Sequence, residues 1–399
     1  MQKDIIREPK LAEVETFQQE LVVKFSYQVS FTHGLFDIDN SLLAETVRKG
    51  SSGMVPARVL VYIDDGVSEA HPHLIQRIRN YFSSYSDLLE LADEPMTTPG
   101  GEQAKNGWNT IRNIMTHIAN CHLDRHSYVI VVGGGSVLDG VGFAASIVHR
   151  GVRLIRVPTT VLAQNDAGVG VKTGMDEHGI KNFVGTFAPP FAVLSDFDFL
   201  PTLKDKYWFG GIAEAFKVAI IKDRSFFEYM EGDSGLLRVR DSAAIAEVIK
   251  RTAKLHLDHI RDGGDPFESG AARPLDFGHW AAHKIEVLSN YRLGHGQAVA
   301  VGIALDSFYA AHVGLLSFDE AGRIALAMQS VGLSVWDLTL DMRDDRGRLL
   351  ILDGLDEFRE HLGGELTITL PDGIGQRVEV HEMQHDLILK AIDCLRGGV

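Results

Sequence analysis

The stretch VIVVGGGSVLDG, Val129–Gly140, decides the fold class. An apolar run reaches three glycines and continues into small residues with helical spacing, which reads as strand, tight turn, helix. Without Cβ atoms at Gly133, Gly134 and Gly135 the backbone can approach a pyrophosphate, and the helix amino terminus offers N–H donors to it. The spacing is not GxGxxG, so the dinucleotide fingerprint is not met, and a plain strand-to-helix turn is the competing reading.

Working outward, the same alternation repeats. Ala57–Asp65 reads as a buried strand ending in two acids, Asp64 and Asp65, that could accept from ribose hydroxyls. His71–Ser84 and Gly101–Ala119 read as helices, the second with Trp108, Ile111, Ile114 and Ile118 on one face. Val152–Val157 reads as another buried strand and Leu21–Phe31 as a half-buried one. Strand-helix alternation of this kind predicts an α/β fold, with a Rossmann-like parallel sheet covered by helices on both faces. After Pro189-Pro190 helical periodicity takes over, in Phe209–Ile260, His279–Leu288 and Gln297–Val313. Within Gly363–Val380 the runs LTITL and RVEV flank PDGIG, a hairpin signal. The expected organisation is an α/β domain over residues 1–195 and a mainly helical domain over 196–399.

Composition sets limits on function. A chain of 399 residues with 45% hydrophobic and 23% charged residues is ordinary for a globular protein of two domains. A formal charge of -15 argues against general nucleic-acid or anionic-membrane binding. Two distant cysteines, Cys121 and Cys394, indicate no disulfide framework. The charged opening MQKDIIREPKLAEVE has no apolar targeting core, and no run approaches a membrane span, so a cytoplasmic protein is expected.

Four residues carry the chemistry: Glu214 in GIAEAFK, His279 and His283 in DFGHWAAH, and His295 in LGHGQAVAVG. His279 and His283 are four apart and share a helix face. Two or three imidazoles with one carboxylate form a usual ligand set for a catalytic divalent metal. His283 is a fourth ligand or a general acid/base. The loop PTTVLAQNDAGVGVKTG, Pro158–Gly174, sets Thr159, Thr160, Asp166 and Lys172 among small residues. Lys172, Lys181, Lys217 and Arg273 would let an acidic protein hold a phosphate.

Together these motifs resemble the 3-dehydroquinate synthase superfamily, the sugar-phosphate cyclases. The resemblance rests on the GGG turn with Asp139 four residues on, on PTT leading to Asp166 and Lys172, and on Lys181-Asn182. It extends to Glu214 and Lys217 in AExxK, to GHxxxH, to HGxAV at His295–Val299, and to GExxK at Glu102–Lys105. It implies that residues 1–195 are the NAD-binding domain and 196–399 the metal- and substrate-binding domain. It implies zinc, or cobalt in its place, on Glu214, His279 and His295. It implies NAD along Asp64, Glu102, Lys105, Gly134, Gly135, Ser136, Asp139, Thr159, Thr160, Asp166, Lys181 and Thr202. The phosphorylated sugar would meet Lys172, Asn182, Lys217 and Arg273, with His283 relaying protons. A homodimer is implied as well, with Arg150 reaching the partner's site.

Departures from the family refine the expectation. Asp276 stands where dehydroquinate synthases carry Asn, and Arg273 is one residue nearer the histidine. Their KAxVVxxDE lysine is replaced by Lys254 or His256, and their lysine-rich carboxy-terminal strand by HLGGELTITLPDGIG with His361 near its start. Asp276 and His361 look like the sedoheptulose 7-phosphate cyclases, which make valiolone-type C7 cyclitols. A carboxylate at 276 would repel a substrate carboxylate, and sedoheptulose 7-phosphate has none. The best-known 2-epi-5-epi-valiolone synthases have Pro at the second His of GHxxxH; keeping His283 points to a 2-epi-valiolone synthase-like branch. The rival expectations are a true dehydroquinate synthase, a metal-dependent polyol dehydrogenase, and a non-catalytic protein on an enzyme scaffold.

Overall fold

The structure is a computed structural model that describes residues 16–50, 56–263, 267, 274–361 and 363–398, with Pro274 and His361 described by backbone alone. It begins with strand β1 (Gln28–Thr32), helix α1 (Leu42–Gly50), strand β2 (Ala57–Asp64) and helices α2 (Asp65–Ala70) and α3 (Leu74–Ser84). Short strands β3 (Leu89–Leu91) and β4 (Met96–Thr98) precede α4 (Trp108–Asn120), β5 (Tyr128–Gly133), α5 (Gly135–Ile147) and β6 (Arg153–Pro158). Strands β7 (Lys172–Glu177), β8 (Ile180–Phe187) and β9 (Ala192–Asp196) follow.

Among the described residues seven strands form one sheet in the order β1-β9-β6-β5-β2-β3, with β4 also on β2, and every pairing in it is parallel. Alternation along the strands explains the two covered faces. Val59, Val61 and Ile63 of β2 pack with Leu43 and Val47 of α1 and Ile78 of α3. Leu60 and Tyr62 pack on the other side with Ile111 and Ile118 of α4 and Val141 of α5. Strand order reverses between β2 and β5, so a crevice opens at their carboxyl ends, the usual ligand position in such sheets.

From Asp205 onward helices dominate: α6 (Asp205–Lys222), α7 (Arg224–Gly232), α8 (Ser234–Arg238), α9 (Ser242–Asp262), α10 (His279–Leu288), α11 (His295–His312), α12 (Phe318–Val331), α13 (Asp353–His361) and, after the antiparallel hairpin β10 (Ile368–Pro371)–β11 (Arg377–Val380), α14 (His385–Arg396). Helix α11 is buried on all sides and forms the axis of this part. Its glycines permit unusually close neighbours. A Cβ on Gly296 would lie 2.2 Å from the Gly210 carbonyl oxygen, and one on Gly302 would lie 2.1 Å from that of Gly278.

Three expectations need correction. Of the run Leu21–Phe31 only Gln28–Phe31 is strand, β1 continuing to Thr32; Leu21, Val22 and Val23 are exposed and pair with no strand among the described residues. The helix expected over Gly101–Ala119 is broken, with a 3-10 turn at Gly101–Lys105 and α4 starting after Gly107, whose φ of 77° suits glycine. The loop read over 158–174 gives way at Lys172 to the β7–β8 hairpin, an antiparallel pair apart from the main sheet.

The Gly210–Gly296 contact yields a prediction. Gly296→Ala should cost about 2–3 kcal/mol, because a rigid backbone faces the new methyl. Gly232→Ala, where nothing lies within 4 Å, should change stability by less than about 1 kcal/mol. Urea unfolding midpoints of the two variants check this; equal midpoints would mean that α6 and α11 do not touch as described.

Candidate active site

Glu214 is the centre of the helical part. It lies on α6 one turn beyond Gly210 and is 1% exposed. Such a group is costly unless charge surrounds it. Lys217, one turn on, contacts its Oε2. His295 Nε2 lies 3.3 Å and His279 Nε2 3.8 Å from its Oε1. Burial opposes the Glu214 charge, but Lys217 and the two histidines hold its pKa well below the usual range. Burial, with Lys217 nearby, pushes His279 down to about 3.

The ligand atoms of Glu214, His279 and His295 lie within 4.8 Å of one another. His279 Nδ1 donates to the Phe277 carbonyl at 3.1 Å, which leaves its Nε2 lone pair facing Glu214. A buried carboxylate with two imidazoles turned toward it fits a zinc-type ion.

Two supports for this cluster escape a reading of motifs. Glu286, on α10, meets His295 Nδ1 at 3.2 Å with Oε2 and accepts from Lys181 at 3.0 Å with Oε1. Burial works against its charge, yet His295 and Lys181 bring it down to about 2. Asp306, on α11, accepts from the Gly278 N–H at 3.0 Å and from Trp280 Nε1 at 2.8 Å, one residue to each side of His279. His283 stands at the edge, its ring 5.6 Å from that of His279 and 6.1 Å from that of His295.

The crevice of the sheet holds the second group. Asp64 ends β2 beside the glycine turn; a Cβ on Gly133 would lie 3.1 Å from the Asp64 Cβ. Gly134 begins α5 with no side-chain cap, so the first N–H groups of the helix are not taken by a capping side chain. The Thr159 N–H donates to the Gly133 carbonyl, its buried Oγ1 has no partner, and a Cβ on Gly134 would lie 3.4 Å from Thr160 Cγ2. Ser136 donates to Glu102 at 3.1 Å. Lys105 donates to Asp139 at 3.3 Å and to Asn182 at 2.7 Å, which places the 3-10 turn over α5. Thr202 exchanges a 2.9 Å hydrogen bond with His71. A glycine cradle, open helix N–H groups and an unpartnered threonine hydroxyl fit a dinucleotide.

The two groups meet through the loop after β6. Asp166 is 2.8 Å from His256 Nδ1 on α9 and helps raise the pKa of Lys217, where Glu214, Asp166 and Asp276 outweigh burial. Arg156, fully buried, donates to the carbonyls of Gly168, Gly170 and Lys172 and braces the loop from beneath. An arginine inside an apolar strand was the available signal for it. Of the two replacements for the family lysine, His256 turns inward, whereas Lys254 pairs with Asp258 on the surface.

Arg150 stands apart from these residues. It closes the turn Val148–Arg150 before β6, at the opposite end of that strand from Thr159, and is not brought to this chain's own site. Arg273 and the side chain of His361 lie outside the described residues.

Comparison with known proteins agrees with this geometry. Residues 95–209 match the 3-dehydroquinate synthase N-terminal family and residues 211–347 the 3-dehydroquinate synthase C-terminal family. A 2-epi-5-epi-valiolone synthase of Streptomyces glaucescens is 32% identical over 92% of this chain and 91% of its own length. A 3-dehydroquinate synthase of Blochmanniella floridana is 30% identical over 92% of this chain and 96% of its own. The structure of a 2-epi-5-epi-valiolone synthase from Streptomyces hygroscopicus subsp. jinggangensis 5008, with NAD+ and Zn2+ bound, superimposes with a TM-score of 0.83 at 29% identity, covering 96% of this chain and 99% of that one. The chain belongs to the 3-dehydroquinate synthase family of NAD- and metal-dependent, phosphate-eliminating cyclases.

Proposed function

We propose that the chain converts sedoheptulose 7-phosphate into a C7 cyclitol, 2-epi-valiolone or an epimer, with loss of phosphate. The observation that carries this reading is Asp276. It sits in the turn three residues before His279 and is among the charges that raise the pKa of Lys217, which supports placing it beside the substrate. A carboxylate there disfavours a carboxylated sugar and accepts hydrogen bonds from a hydroxylated one. Residues 1–195 are taken as the NAD-binding unit and 196–399 as the metal and substrate unit.

Glu214, His279 and His295 would hold the metal, and the crevice from Asp64 to Thr160 would hold NAD. When bound, the metal would supply polarisation of a sugar hydroxyl and NAD a reversible hydride acceptor. Lys172, Lys217, Asn182 and Arg273 would grip the phosphate and orient it for β-elimination. His283, at the open edge of the cluster, would relay a proton during ring opening, before the intramolecular aldol closes the carbocycle. Glu286 would hold His295 in its ligating tautomer. Arg150 would serve only a second copy of the chain, in a homodimer.

A second reading, 3-dehydroquinate synthase, is favoured by His283 and by relatives of that name at nearly the same identity. Phosphate release separates the two. Sedoheptulose 7-phosphate with NAD+ and Zn2+ or Co2+ should release phosphate with no net NADH, and NMR of the product names the epimer. Release from the carboxylated dehydroquinate synthase substrate alone would overturn the proposal, and net NADH would mark a dehydrogenase. Asp276→Asn should improve turnover of the carboxylated substrate, relative to the C7 sugar, by at least about tenfold.

Glu214→Ala and His279→Ala should each lose tightly held zinc and slow phosphate release about a thousandfold, or roughly 4 kcal/mol. Metal content and steady-state rates on the same preparations check this. A variant that loses zinc but keeps its rate would remove the metal from the proposal.

A further inference from the structure

A separate set of metal-competent side chains lies at the far end of α4. His117, in the last turn of that helix, and Cys121, its C-cap, are four residues apart and project from the same side. Asp93 comes from the loop between β3 and β4. One imidazole nitrogen, the thiol sulfur and one carboxylate oxygen from these residues all lie within 4.8 Å of one another. His117 Nε2 is 3.1 Å from Asp93 Oδ2, and its Nδ1 is 2.8 Å from the hydroxyl of Tyr62, which is 2% exposed.

We propose that Asp93, His117 and Cys121 form a second divalent-cation site, suited to Zn2+ or Co2+, distinct from the Glu214 cluster. The donor set of one nitrogen, one sulfur and one oxygen matches the preferences of these ions. Bond lengths of such an ion place tetrahedral ligand atoms about 3.3–3.8 Å apart, so the His117–Asp93 pair at 3.1 Å is nearly in position. Tyr62 is the outer partner: with Nδ1–H given to its hydroxyl, the Nε2 lone pair faces Asp93 and the ion. The Asp93 side chain is 54% exposed, which leaves a path from solvent and a fourth position for water. Helix α4 is 13 residues long, so its ends lie about 18 Å apart, with the site at the end away from the turn that carries Glu102 and Lys105. An ion here would staple the end of α4 to the loop that leads into β4.

The same atoms without an ion would be a Tyr–His–Asp hydrogen-bond chain beside an incidental thiol. Cobalt distinguishes the two, because the Glu214 cluster contains no sulfur. The full chain, reduced and stripped of metal, is titrated with Co2+ while near-ultraviolet thiolate-to-cobalt charge transfer is recorded. The band should appear in the parent protein, in Glu214→Ala and in Cys394→Ser, and should vanish in Cys121→Ser. Zinc retained per chain should fall by one equivalent in Cys121→Ser. Tyr62→Phe should shift the band's midpoint to about tenfold higher cobalt. Absence of the band from the parent protein, or its survival in Cys121→Ser, would overturn the proposal.

Discussion

One buried carboxylate organises this molecule. Glu214 carries charge where water does not reach, and the fold surrounds it with Lys217, His279 and His295. The backbone arrangement serves that meeting. Gly210 lies one turn before Glu214 and Gly296 lies next to His295, and these two glycines let α6 and α11 approach closely enough for the ligands to converge. Gly278 repeats the device on the other side, packing against Gly302 while its N–H is held by Asp306. Asp306 is itself a buried acid, pushed up to about 7 by desolvation, and it positions the residues flanking His279.

The sheet contributes its crevice, and the loop after β6 joins the crevice to the metal cluster. Arg156 holds three carbonyls of that loop from inside the protein. Asp166 reaches His256 on α9, and Lys181 reaches Glu286 on α10. Side chains of the amino-terminal part thus touch the residues that support the Glu214 cluster. This arrangement suits a reaction in which hydride transfer and phosphate loss occur on one bound sugar.

Much of this was readable from residues alone, for a physical reason in each case. The turn at Gly133–Gly135 needed glycine for steric reasons, and a buried strand must precede such a turn. The meeting of Glu214, His279 and His295 was readable because these side-chain types bind zinc and their motifs resemble one family. What could not be read depends on partners distant in sequence. The β7–β8 hairpin is rich in polar residues and glycine, so no alternation announced it. Glu286 and Arg156 look like a helix glutamate and a strand arginine until His295 and the loop carbonyls are placed beside them. Leu21–Tyr27 has an alternating pattern, but pattern supplies no neighbouring strand.

His295 belongs to two overlapping sets. Its Nε2 faces Glu214 and His279, and its Nδ1 faces Glu286, with His283 beside it. The measurement that tests the account most directly is a zinc-edge anomalous difference map from crystals of the zinc-loaded chain. The expected peak touches Glu214, His279 and His295 Nε2, with Glu286 hydrogen-bonded to Nδ1 outside it. A peak held instead by His283, Glu286 and His295 Nδ1 would contradict it and move the chemistry to the other side of the ring.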